Sequence, residues 1–319
     1  MCYSAQIWQD YRKYVKRYGA ELDVEAFTRL YWERQGGARV KTPKAMDDSF
    51  RHPDPEHPHA LSVLIGDLYR ERVAALEQEL FKQRKRLADA ERSLNLKPTK
   101  AAGESRRIAG EKIQWLMRQL SDQRRREPED RDSRIFPGHH APVMVWEDGR
   151  RVLKPMRYQC RVAGTPAAFD TRYPGTYNAR RDSLEKFWKG VFGISHGVVV
   201  AEAFYENVSR HRLEGRGLED GEKDSSVVLE FRPSPPREML VACLWSHWRQ
   251  DGEPDLLSFA AITDEPPPEV AAAGHDRCII PIKEEHLDAW LNPSPSDLQS
   301  LQFILDDRDR PYYQHRLAA

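Results

Sequence analysis

Two textures of apolar patterning divide the chain. Before about residue 130 apolar residues recur at helical spacing; after Ile135 they come in short alternating or continuous runs. Ile7, Tyr11, Tyr14, Val15 and Tyr18 alternate with basic residues, which predicts a helix over Ala5 to Tyr18 ended by Gly19. Asp23 to Gln35 predicts a second helix, with Asp23 as N-cap and Gly36-Gly37 as its stop. A polar loop rich in proline and histidine follows, from Lys41 to His59. Val73, Leu76, Leu80, Leu87 and Leu94 then fall near a heptad seam, with Gln83 and Ala90 at its weaker positions. Lys97-Pro98 breaks the seam, and Ala109, Ile113, Leu116 and Leu120 resume it, which reads as an antiparallel helical hairpin. Beyond it, Ala141–Trp146 and Arg151–Arg157 flank an Asp148-Gly149 turn and predict a β-hairpin. Further strands are expected at Gly197–Tyr205, Ser226–Phe231, Met239–Trp245, Leu256–Thr263 and Cys278–Ile282. Short helices are expected at Asp182–Trp188, Glu284–Leu291 and Ser296–Leu305. The fold class that follows is α+β. Residues 1–319 form one domain, a mostly antiparallel β body with peripheral helices, interrupted by an inserted hairpin at residues 60–132.

Composition narrows the function classes. The 319 residues carry 50 Lys and Arg against 50 Asp and Glu, so no global basic footprint for nucleic acid exists, although a local one can. The charges of the insert, including the tract Arg124 to Asp132, read as a solvated helix surface in preference to a nucleic-acid arm. The hairpin also has the form of a docking arm for a protein partner or a seam for self-association. Cys2, Cys160, Cys243 and Cys278 form no CxxC pair and read as reduced thiols. No apolar leader and no run of eighteen apolar residues is present, so a cytoplasmic protein without a membrane is expected. A metal site at His52, His57 and His59 is the weakest reading, because no cysteine or ordered carboxylate accompanies them; no metal and no cofactor is expected.

The candidate chemistry sits at four places. Cys2 follows the initiator methionine, and removal of Met1 would leave an α-amine and a thiol on adjacent carbons. Their ordinary pKa values, about 7.7–8.0 and about 8.5, leave both nucleophiles partly available at neutral pH. Such a pair can condense with an aldehyde to an imine and close a five-membered thiazolidine on it. Asn178 lies in Tyr177-Asn178-Ala179-Arg180, Glu206 ends Ala203-Phe204-Tyr205-Glu206, and His275 opens His275-Asp276-Arg277-Cys278. Each has a bland role on its own: an ordinary residue near a frayed terminus, a turn former, a solvated strand end, a loop histidine.

In this order, Met-Cys at the start, Asn-Ala-Arg, Phe-Tyr-Glu and His-x-Arg resemble the SOS-response-associated peptidase (SRAP) family. The neighbouring stretches Pro137–Arg157, Leu240–Trp248, Leu257–Pro266 and His275–Leu291 are similar to it as well, so the resemblance covers residues 1–4 and about 135–293. It implies a curved β core with a basic cleft, and covalent crosslinking to abasic sites in single-stranded DNA. By the resemblance Cys2 is the nucleophile, Asn178 holds the terminal amine and sugar, Glu206 moves protons, and His275 completes the acid–base pair. Arg180 and Arg277 would contact flanking phosphates, and the protein would join the nucleoid when acting on DNA. A thiol peptidase using the same Cys2, Glu206 and His275 is the alternative. The chain departs from the family at Tyr3 and Ser4, where Gly-Arg is usual, at Asn207 in place of tryptophan, and at Cys278 in place of methionine.

Overall fold

The computed structural model describes residues 3–51 and 59–318. Residues 1, 2, 52–58 and 319 lie outside the description, and with them the predicted nucleophile Cys2 and the histidines His52 and His57. The chain divides into two compact units. One holds residues 1–49 and 130–319, and the other residues 50–129.

The larger unit opens with β1 (Ser4–Ile7), α1 (Tyr11–Tyr18), β2 (Glu21–Leu22), α2 (Val24–Gln35) and α3 (Lys44–Arg51), the last of which runs across the boundary between units. The expected helix from Ala5 therefore begins six residues late. Ala5 and Gln6 pair with β3 on one side, and Ser4 to Ile7 with β7 on the other; two neighbouring strands outweigh helical propensity. Asp10 then caps α1 by accepting from the Arg12 amide. Asp23 caps α2 as the sequence suggests, accepting from the Ala26 amide at 2.9 Å.

The smaller unit is the helical pair α4 (His59–Leu96) and α5 (Lys100–Arg124). Leu80, Ile113, Leu116 and Leu120 are buried between them, with Val73, Leu76 and Leu87 packed alongside. Thr99, just past Pro98, accepts from the Ala102 amide and starts α5.

The larger unit resumes with β3 (Arg134–Ile135), β4 (His140–Glu147), β5 (Arg150–Tyr158), α6 (Phe169–Arg172), β6 (Asn178–Arg180), β7 (His196–Ser209) and α7 (Arg210–Leu213). It ends with β8 (Ser226–Ser234), β9 (Met239–Trp248), β10 (Leu256–Asp264), α8 (Pro268–Ala272), β11 (Cys278–Ile279), β12 (Pro281–Ile282), α9 (Leu287–Leu291), α10 (Leu298–Asp306) and β13 (Tyr312–Leu317). The helix expected over Asp182–Trp188 is only a single 3₁₀ turn, Arg181–Ser183, followed by irregular turns.

Hydrogen-bonded neighbours run β9-β10-β5-β4-β7, and β7 pairs with β9 again, so five strands close a barrel. The β10–β5, β10–β6 and β2–β5 pairings are parallel and the others antiparallel. Asp148 and Gly149 at the β4–β5 turn both take positive φ, as a two-residue hairpin with right-handed strand twist requires. Val143, Val145, Val199, Val241 and Phe259 fill the interior. Trp290 of α9 donates to the Gly197 carbonyl at 3.1 Å and covers the outside of β7.

The fourteen residues of β7 serve two sheets. Its first half lies in the barrel between β4 and β9. Its second half leaves the barrel and runs between β1 and β8. The FYE tripeptide stands in that second half.

Candidate functional site

Strand alternation puts Phe204, Glu206 and Val208 on one face of β7. Phe204 stacks on Phe231 at 5.0 Å, and Val208 is buried. Glu206 thus points where an apolar side chain belongs, and it is fully buried. A carboxylate there needs a partner. His275 supplies it, with Nε2 3.0 Å from the Glu206 carboxylate.

The loop after α8 positions that imidazole. Gly274 takes φ +93°, and a Cβ there would meet the Arg212 side chain at 3.2 Å, so glycine suits the turn on both counts. The His275 Nδ1 lies 2.9 Å from the Arg277 carbonyl and 3.3 Å from the Arg277 amide. With Nδ1–H donating to the carbonyl, Nε2 of a neutral ring is an acceptor facing a carboxylate. With Nδ1 accepting from the Arg277 amide instead, Nε2–H faces the carboxylate as a donor, so the loop backbone sets which ring nitrogen Glu206 meets.

The start of the chain runs past this pair. Ser4 pairs with Tyr205, the residue before Glu206. Ser4 accepts from the Arg134 guanidinium at 2.9 and 3.0 Å, and that guanidinium lies 3.7 Å over the Tyr205 ring. The Tyr3 ring packs edge-on against Phe136 and Tyr177, at 5.8 and 6.3 Å between centroids.

Tyr177 precedes Asn178, which is buried in β6 opposite Ala261. Thr263 of β10 pairs with Arg180 on one side and with Ile279 on the other. The Asn178 segment and the His275–Cys278 segment therefore flank the same strand end. Of the two predicted phosphate contacts, Arg180 is half-exposed and held by Asp182. Arg277 makes no ion pair among the described residues.

A groove leads off from Asn178 between Arg172, Tyr173, Arg180 and Phe187. Tyr173 and Phe187, 5.9 Å apart, are 39% and 45% exposed, and the Arg172 guanidinium lies over Tyr173. Arg134, Tyr173 and Phe187 were not singled out from the sequence, because their neighbours come from segments remote along the chain.

The remaining cysteines are poor nucleophiles. Cys160, Cys243 and Cys278 are buried; burial pushes the Cys160 thiol up to about 12 and raises the other two as well. Glu285, His286 and Asp307 come together at the surface, but the Lys283 ammonium already sits 2.6 Å from Asp307.

The sequence profile of the family described as SOS response associated peptidase (SRAP) matches residues 79–316. The chain belongs to the SRAP family. The matched span includes Asn178, Glu206 and His275 and begins after the N-terminal residues. Membership associates the chain with the SOS response to DNA damage and with a peptidase-like class.

Among solved structures, a protein from Bordetella bronchiseptica is similar at 17% identity, over 59% of this chain and 87% of its own, with a TM-score of 0.46. A protein from Bacteroides thetaiotaomicron is similar at 14% identity, over 59% and 78%, with a TM-score of 0.44. A phage-related protein from Bordetella bronchiseptica is similar at 19% identity, over 61% and 85%, with a TM-score of 0.43. No protein of curated function matches the chain. No helix among the described residues is long and apolar enough to cross a membrane.

Proposed function

We propose that this SRAP protein captures abasic sites in single-stranded DNA through Cys2, after Met1 is removed. The observation that supports the reading most is the course of β1, which pairs Ser4 with Tyr205 beside the buried Glu206–His275 pair.

The chemistry balances without a redox partner. Opening of the abasic sugar protonates the ring oxygen and exposes an aldehyde. The Cys2 amine adds to it, water leaves, and an imine forms. The thiol sulfur then adds to the imine carbon and its proton passes to nitrogen, closing the thiazolidine. Each step moves a proton, which is the task assigned to Glu206 and His275. Asn178 holds the amine and the sugar. Arg277 and Arg180 contact phosphates, which position a strand without reading its sequence. The exposed rings of Tyr173 and Phe187 offer a stacking surface for a base along the groove.

The test incubates the purified protein with an oligonucleotide carrying one abasic site and measures the intact mass of the product. Wild type is expected to add the mass of the strand less one water. Cys2→Ser keeps the amine and should give only an adduct that requires borohydride trapping. An undiminished stable adduct with Cys2→Ala overturns the proposal. Hydrolysis of peptides by the DNA-free protein without any crosslink would favour the thiol-peptidase alternative instead.

A further inference from the structure

The helical unit has a charge distribution that the neutral chain as a whole conceals. Between Lys82 and Lys112 there are ten lysines and arginines against four acids, a net of +6 in a chain whose total is zero. Near the root of the hairpin Arg124 pairs with Glu77, and Arg125 with Asp122 and Glu129. At the far end Arg92 pairs with Asp89, and Arg107 with Glu104 and Glu111, but six further cations stand apart. Lys82, Arg84, Lys85, Lys97, Lys100 and Arg106 are exposed and make no ion pair among the described residues.

The distal end also has a shape. A groove between α4 and α5 is lined by Lys82, Lys85 and Arg86 on one helix and by Thr99 and Ser105 on the other. Its remaining walls are small, including Ala90, Ala101 and Ala102, so a polyanion can approach the backbone closely. Asp89 also borders the groove, but it is taken up by Arg92 on its own helix. Nearer the root, the exposed Trp115 carries the Lys112 ammonium 4.5 Å above its ring.

Unpaired like charges this close repel one another, at a cost that an anion removes. A protein partner would need an acidic surface matched to the groove, whereas a phosphate backbone presents regularly spaced charge at any register. From Lys82 to Lys97 the helix rises about 22 Å, the span of several phosphates. We propose that the distal half of the hairpin, from Lys82 to Arg106, is a sequence-independent binding arm for the phosphate backbone of nucleic acid. The arm acts on undamaged strands, so it does not depend on the abasic-site reading.

The experiment uses the full chain and a fluorescent undamaged 30-mer, as single strand and as duplex, with anisotropy read across a salt series. The variant K82E/K85E/K97E/K100E reverses four of the unpaired cations. A charge-matched control, K16E/K223E/R249E/R310E, changes exposed positions of the other unit. The hairpin variant is expected to lose at least tenfold in affinity at low salt and to flatten the salt slope by about three, while the control loses far less. The two DNA forms tell whether single strand or duplex is preferred. Equal losses in both variants, or unchanged binding in the hairpin variant, overturn the arm. So does a change in oligomeric state by light scattering with DNA affinity intact, which would make the surface a contact between copies. Circular dichroism of both variants separates these outcomes from unfolding.

Discussion

At the scale of single residues, the site rests on a carboxylate placed where β7 calls for an apolar side chain. Its contact His275 is itself tied to the Arg277 backbone, so the proposed proton relay would act at a fixed point. Glu206→Gln retains a hydrogen-bonding group but removes the proton acceptor. It is expected to slow crosslinking about 100-fold at neutral pH, the usual scale for loss of general acid–base catalysis. Alkylation of the Cys2 thiol should proceed at the wild-type rate in that variant, and a parallel loss would mean a misfolded site. A second expectation concerns the other thiols. In the native protein iodoacetamide should label Cys160, Cys243 and Cys278 only slowly, since all three are buried with raised pKa values. Peptide mapping that finds fast labelling at any of those three would contradict this. Asn178, Glu206 and His275 were legible as motifs because each stands in a distinctive short string. Arg134, Tyr173 and Phe187 were not, since a guanidinium over Tyr205 or a pair of bare rings exists only after remote segments meet.

At the scale of elements, β7 is the member that couples barrel to site. Gly197 stands where it crosses β4, and a Cβ there would come within 2.8 Å of Val143 and 3.3 Å of the Met144 carbonyl. Gly197→Ala should therefore destabilise the protein by about 1–3 kcal/mol through overpacking, read as a lower urea midpoint at unchanged m-value. The hairpin offers a local test. Thr99→Ala removes the cap of α5 and should cost about 1 kcal/mol, visible as lower ellipticity and melting temperature, with Thr99→Ser restoring most of it. The helical seam and the Asp-Gly turn could be read from the chain because 3.6- and 2-residue periods and positive φ are local matters. The strand at Ser4–Ile7 could not, since four residues of strand are specified by their two neighbours.

At the scale of the whole molecule, two buried histidines make stability depend on pH. Burial pushes His140 down to about 4 and His196 to about 3, and His196 accepts the Gly193 amide on Nε2 at 2.8 Å. Unfolded, both return to about 6.5, so between those values the unfolded chain binds more protons. Their contribution is complete above pH 6.5 and is lost as pH falls through 6 and 5 toward 4. The melting temperature is expected to fall across that window, and His140→Gln to flatten part of the slope. A flat profile from pH 7 to 4 would show that neither ring is held neutral.

The sequence by itself determined the class of the fold, the inserted helical pair, and the residue types able to carry the chemistry, because periodicity, capping and short motifs depend on neighbours in the chain. Only the tertiary structure decided that five strands close on themselves and that β7 passes from one sheet to another. It alone set His275 against Glu206 and ran the first strand beside them. It also left six exposed cations of the hairpin's far end outside any ion pair among the described residues. Those are outcomes of burial and strand pairing between segments up to two hundred residues apart, which no local pattern encodes.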